Sequence, residues 1–288
     1  MLKQRILTAL LLAPLTLACV FFLGAESFAV FCCITIAIGA WEWGPLMGLT
    51  TMAGRLCYTA FIVAIMAGLA VVWPVDKMWL ADGSLLPVYQ IILLVAGGWW
   101  LTAIVLIYSY PKTSVVWRDH MLVKGMIGVL SLVPAWVAFV AIRTLNIEQQ
   151  FYYGSTLLFV SLAIVWAADV GAYFCGKRFG QRKLMPLVSP NKTLEGFLGG
   201  LASVTVLVLL LNLGFGVTVD NYPGYFIIAI ATASISAVGD LNESMLKRAA
   251  DIKDSGSILP GHGGLLDRID SLIAATPMFV LLYIFFVR

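Results

Sequence analysis

The 288-residue chain is 61% hydrophobic and only 11% charged, with a mean hydropathy of +0.97, which excludes a water-soluble globular domain and identifies an integral membrane protein. A net charge of +3 is too small to point to a nucleic-acid partner. Cys19, Cys32, Cys33, Cys57 and Cys175 lie in or beside apolar runs, with no C-x-x-C pair and no histidine cluster; they suggest neither disulfides nor a zinc site.

A bilayer core of ~30 Å takes about 20 apolar residues per helix. Nine such runs are predicted, at 6–23, 27–45, 55–74, 88–108, 125–142, 155–175, 196–217, 222–240 and 269–287. Lys3 and Arg5 precede the first run as in a signal peptide, but the run exceeds the ~7–15 residues of a signal h-region and reads as a retained helix. With the N-terminus in the cytoplasm, fifteen of the eighteen basic residues fall inside and only Lys77, Arg143 and Arg288 outside, as the positive-inside rule asks. The expected fold is therefore an all-α integral membrane protein of about nine transmembrane helices. Its N-terminus is cytoplasmic and its active site lies at the cytoplasmic helix ends. Residues 1–150 hold helices 1 to 5. Residues 151–288 form the catalytic region, with helices 6 to 9 and two polar connections at 176–195 and 241–268. Trp41, Trp43, Trp99 and Trp100 sit near predicted helix ends as interfacial aromatics, and Glu42 reads as an interfacial carboxylate.

Within the sixth run Asp169 is the deepest carboxylate, and an ionisable residue at membrane depth marks function by default. GAYFCGKR, residues 171–178, mimics a P-loop. It lacks the Ser or Thr after the lysine and closes a membrane helix rather than joining strand to helix. SPNKTLEG, residues 189–196, predicts a helix start with Ser189 as N-cap and Pro190 in the first position. That places Lys192 in the first turn, where a cation opposes the macrodipole; such a site would suit a bound phosphate, or hold a snorkelling lysine. Asp240, Glu243, Ser244, Lys247 and Asp251 then share one helical face if the eighth helix continues beyond the membrane. Glu243 and Asp251 read as an ordinary amphipathic surface, whereas Asp240 stands at the boundary. The turn KDSGSILPGHGG excludes regular structure and lets a backbone approach a ligand closely. LLDRID follows, with Asp267 and Asp270 on one face at the start of an apolar helix.

Carboxylates accompanied by lysines and an arginine, without a cysteine or histidine cluster, suit a hard ion such as Mg²⁺ held together with substrate phosphates. That is equipment for phosphoryl or nucleotidyl transfer. His262 is the only histidine in either connection and reads as a binding or loop-organising group rather than a base.

SMLKRAADIKDSGSILPGHGGLLDRID, residues 244–270, resembles the C-terminal motif of the phosphatidate cytidylyltransferases, or CDP-diacylglycerol synthases. The likeness includes Ser244, Lys247, Arg248, Lys253, Asp254, the turn from Pro260 through His262, Gly263 and Gly264, then Asp267, Arg268 and Asp270. SPNKT resembles the family's S-P-x-K-T element, with Ser189, Lys192 and Thr193. MLKQRILTAL, AWEWG and WAADVGAYFCGKRFG resemble bacterial members, so the likeness spans essentially the whole chain. The resemblance implies an enzyme of the bacterial inner membrane that makes CDP-diacylglycerol and pyrophosphate from CTP and phosphatidate, requires Mg²⁺ and forms a homodimer. It implies metal at Asp240, Asp267 and Asp270, and by the same analogy admits a monovalent cation beside the Mg²⁺. Lys192 with Asp240 and Asp267 would be catalytic, and Asp169 would join the substrate-binding set. The rival expectations are another CTP-dependent lipid transferase or lipid-alcohol kinase, and an ion-coupled transporter built on Asp169.

Overall fold

A computed structural model describes residues 2–215, 222–261 and 263–287. Among these the chain forms α1 (Leu2–Phe22), α2 (Ala25–Met47), α3 (Met52–Val72), α4 (Pro87–Ser109), the single turn α5 (Ser114–Trp117), α6 (Met121–Thr144), α7 (Tyr153–Phe179), β1 (Lys183–Met185), β2 (Ser189–Thr193), α8 (Leu194–Phe215), α9 (Tyr222–Ala249) and α10 (Leu266–Phe286). Eight of the described helices, α2 to α4 and α6 to α10, are long and apolar enough to cross a membrane. The remaining expected span corresponds to α1, whose apolar stretch Leu10–Phe22 is shorter. The protein is a multi-pass, all-α membrane protein with one small hairpin.

The bundle is built around α6, of whose apolar window 78% is buried, against 17% for α3 at the lipid-facing edge. Glycine and alanine along α6 let α2, α4 and α10 approach it, the packing mode that replaces hydrophobic drive between helices in lipid. The α7–α8 seam uses the same device. A methyl group added at Gly171 would collide with Ser203 and the Gly199 carbonyl.

Polar side chains fasten the two ends. At one end Trp43 Nε1 donates to the Lys124 carbonyl and the Tyr58 hydroxyl to that of Gly125, both at 3.0 Å, joining α2 and α3 to the start of α6. At the other end Arg143, fully buried, donates from Nε to the Val20 carbonyl at 2.9 Å and from Nη2 to that of Leu23 at 2.5 Å. It satisfies carbonyls that the C-terminus of α1 leaves open. The ends of α2, α7 and α9 and the starts of α3, α6, α8 and α10 thus lie together, and every polar constellation of the sequence falls at that end.

Two expectations change. Helix α8 does not begin at Ser189: residues 189–193 form β2, paired antiparallel with β1 in the register Lys183 to Thr193 and Met185 to Ser189. The residue before a proline avoids helical backbone, so Ser189 is extended. Thr193 takes the cap instead, its Oγ1 accepting the Gly196 N–H at 3.1 Å. The Leu194 N–H donates to the Arg182 carbonyl, and Glu195 accepts the N–H groups of Gln181 and Arg182, closing the hairpin onto the helix start. The second change is length, since α7 and α9 run past their expected ends to Phe179 and Ala249.

Candidate active site

Helix α9 carries Asp240, Glu243, Ser244 and Lys247 on one face, as the spacing predicts, and that face meets β2 and the first turn of α10. The approach is close at Gly239, where a side chain would collide with the Asp270 carbonyl. Asp240 lies about 14 Å short of the α9 end at ~1.5 Å per residue, so the face is recessed below the helix tips. Asp169 lies at a similar depth on α7, near enough to Asp240 and Lys192 to interact electrostatically with both.

Three ion pairs organise the cluster. Lys192, delivered by β2, places Nζ 2.6 Å from Asp240 Oδ2, and the Ser244 hydroxyl donates to the other oxygen of Asp240 at 3.3 Å. Lys192 is therefore neutralised by a carboxylate from another element and does not face a helix N-terminus uncompensated. Lys247 donates to Asp267 Oδ1 at 2.7 Å, and its ammonium is 3.3 Å from Glu243 Oε1. Asp267 also accepts backbone N–H groups from Ser255 at 3.1 Å and Gly264 at 3.0 Å. One carboxylate thus ties α9, the glycine turn and α10 together. Gly263 adopts φ +87°, a left-handed backbone that only glycine enters freely.

Asp270 stands one turn deeper on α10, within the field of Asp240, Glu243 and Lys192. Glu243 differs from its expected role. It is 2% exposed rather than part of a solvated face, and it is ion-paired with Lys247. Its position three residues after Asp240 and four before Lys247 was the available signal. Asp251 does lie at the surface, paired with Arg118 at 2.9 Å.

The remaining predicted residues lie around this centre. Arg248 is exposed, its Nε donating to the Val188 carbonyl at 3.4 Å, and so braces α9 against the hairpin. Lys253 and Asp254 are exposed in the turn, and Arg268 is exposed on the first turn of α10. Ser189 sits in β2, partly buried, and Thr193 is the α8 cap. His262 lies outside the described residues.

The donor chemistry fits a hard cation, because carboxylates of Glu243, Asp270 and Asp267 gather at one place with Lys247 as the ammonium among them. Among the described residues no three potential ligands are gathered into a cage, and the two outer aspartates are each held by a lysine.

Sequence comparison identifies the relatives of the chain. Residues 3–286 match the model of the cytidylyltransferase family. The chain is 41% identical over 282 residues to a phosphatidate cytidylyltransferase of Pseudomonas aeruginosa, covering 98% of this chain and 97% of that protein. It is 37% identical over 296 residues to one of Haemophilus influenzae, covering 99% of each. Against one of Brucella melitensis the identity is 35% over 289 residues, covering 99% and 93% respectively.

Proposed function

This chain belongs to the cytidylyltransferase family, and from that premise we propose that a phosphate oxygen of phosphatidate attacks the α-phosphorus of CTP in line. The new O–P bond forms as the bond to the bridging oxygen breaks, and pyrophosphate carries the electron pair away. The overall reaction is that of the relatives, CTP and phosphatidate giving CDP-diacylglycerol and pyrophosphate, so the chain is a nucleotidyltransferase of phospholipid biosynthesis.

The observation that carries the mechanism is the recessed pair of lysine–aspartate contacts, Lys192 with Asp240 and Lys247 with Asp267, at the polar end of the bundle. A lipid phosphate is already anionic at neutral pH and needs little help from a base. The barrier is mostly mutual repulsion and alignment of two anions. Lys192 and Lys247 bring positive charge to the reacting phosphates, with Lys253, Arg248 and Arg268 at the rim for the triphosphate. Asp240 and Asp267 hold the two lysines in place, and Ser244 steadies Asp240. Mg²⁺ would be held by Asp240 and Asp267 with Asp270 in support; when bound it supplies further charge neutralisation on the phosphates.

The site faces the cytoplasm of the bacterial inner membrane, a placement supported by the basic residues that crowd the same side. There a substrate dissolved in cytosol meets one embedded in lipid. A homodimer belongs to the same proposal, and chemical cross-linking in native membranes tests it.

Purified protein supplied with CTP, Mg²⁺ and phosphatidate in mixed micelles is expected to release pyrophosphate and form a liponucleotide in equal amounts. Phosphorylation of a lipid alcohol without liponucleotide would overturn the reading in favour of a kinase. Substrate counterflow in liposomes with neither reaction would favour a transporter.

A further inference from the structure

Glu42 lies in the last turns of α2, far in sequence from the polar connections, and it is fully buried. Among the described residues no lysine or arginine forms an ion pair with it. Arg55, the nearest cation in sequence, spends both Nε and Nη2 on the Trp41 carbonyl and stacks over the Trp41 ring at 4.1 Å. A buried carboxylate without a close ion pair needs other partners to offset its burial.

What it contacts is the start of α10. Glu42 Oε2 accepts the Leu266 N–H at 2.7 Å, across 224 residues of sequence. Leu266 is the first residue of α10, and the preceding cap position, Leu265, supplies no side-chain hydrogen bond. The first N–H groups of a helix have no partner within it and favour a negative charge. Glu42 therefore caps α10 from another helix.

The glycine turn is shaped around the same carboxylate. A methyl group at Gly256 would collide with Glu42 Oε1, and one at Gly264 would come within 2.7 Å of Oε2. Gly256 does not adopt a positive φ, so close approach accounts for its glycine rather than backbone freedom. Asp267, one residue beyond Leu266, grips the same turn through the Ser255 and Gly264 N–H groups. Glu42 and Asp267 hold one loop between them.

We propose that Glu42 is a positioning residue for the transfer reaction: it fixes the first turn of α10 and the loop positions Ser255, Gly256 and Gly264, and so the place of the Asp267 carboxylate, without itself touching substrate. This rests on Asp267 belonging to the active site.

The test combines backbone exchange with kinetics on the full-length protein in detergent. Glu42→Ala is expected to speed deuterium exchange in peptides spanning 253–268, with the rest of the bundle unchanged. It should also lower kcat for CTP and phosphatidate by about 100-fold, the scale of an ångström of misplacement, with little change in KM for CTP. Glu42→Gln keeps an acceptor oxygen and should recover most of both losses. Gly256→Ala should raise exchange in the same peptides, and lose that effect in the Glu42→Ala background because the collision is gone.

Unchanged exchange in Glu42→Ala would overturn the inference about Glu42 alone. Faster exchange with unchanged kcat would overturn it equally. A fully active Asp267→Asn enzyme would overturn both the inference and the site it rests on. Where Glu42→Ala does not accumulate as folded protein, Glu42→Asp, one methylene too short, and Gly256→Ala carry the same comparison.

Discussion

Lys192 and Asp240 meet at 2.6 Å although one comes from a hairpin strand and the other from the middle of a membrane helix. Both side chains remain partly exposed, so the pair contributes no more than about 1 kcal/mol to stability. In the proposed mechanism its value is in placing an ammonium group where the lipid phosphate arrives. Lys192→Met is therefore expected to leave the unfolding temperature in detergent nearly unchanged while lowering kcat by roughly 10²–10³-fold, the usual cost of removing one charge-stabilising donor. Normal turnover in a Lys192→Met enzyme would show that the pair is structural only.

Asp267→Asn should abolish turnover in a protein that still inserts and elutes as a single species. The amide retains an acceptor for one backbone N–H but no longer offers the charge that Lys247 and two N–H groups share. Pyrophosphate release is the measurement, and wild-type rates would remove Asp267 from the site.

Chelation provides a third check on the acidic cluster. EDTA is expected to stop liponucleotide formation, and added Mg²⁺ to restore it, with the helical circular dichroism constant throughout. Full activity in EDTA would remove the metal from the proposed mechanism and leave Lys247 as the cation that the acidic cluster holds.

The corrected start of α8 has its own consequence. Thr193→Val keeps shape and β propensity but loses the hydroxyl that accepts the Gly196 N–H, and should cost about 1 kcal/mol. Thr193→Ser should cost far less, and Ser189→Ala should not behave as a lost cap. Thermal unfolding in one detergent compares all three.

At the α7–α8 seam, Gly171→Ala places a methyl group against Ser203 and the Gly199 carbonyl. Overpacking of this kind costs about 1–3 kcal/mol. A second change, Ser203→Gly, should recover part of it, because it removes the side-chain half of the collision. The same unfolding assay decides.

The membrane helices are legible in the sequence because a span is a local property: an apolar run of fixed length needs no partner to be recognised. The Asp240, Ser244, Lys247 face was equally legible, since helical spacing alone puts these residues together. Which neighbour that face meets was not, and so Glu243 reads as solvated until α10 is laid against it. Ser189 misleads for a related reason. A Ser-Pro pair followed by Thr supports either a cap at Ser189 or a strand ending in a cap at Thr193, and only the bond from Leu194 to Arg182 selects the second. Glu42 is the extreme case, because nothing near it in sequence hints at a partner 224 residues away.

That separation bears on biogenesis. At ~5–20 residues per second, on the order of 10–45 s pass between synthesis of Glu42 and of Leu266. Until then the carboxylate has no cap to make. Nascent chains halted before the last helix would keep an open seam beside α2 at the polar end of the bundle. Only once α10 is in place does Glu42 find the Leu266 N–H and Asp267 the loop it grips.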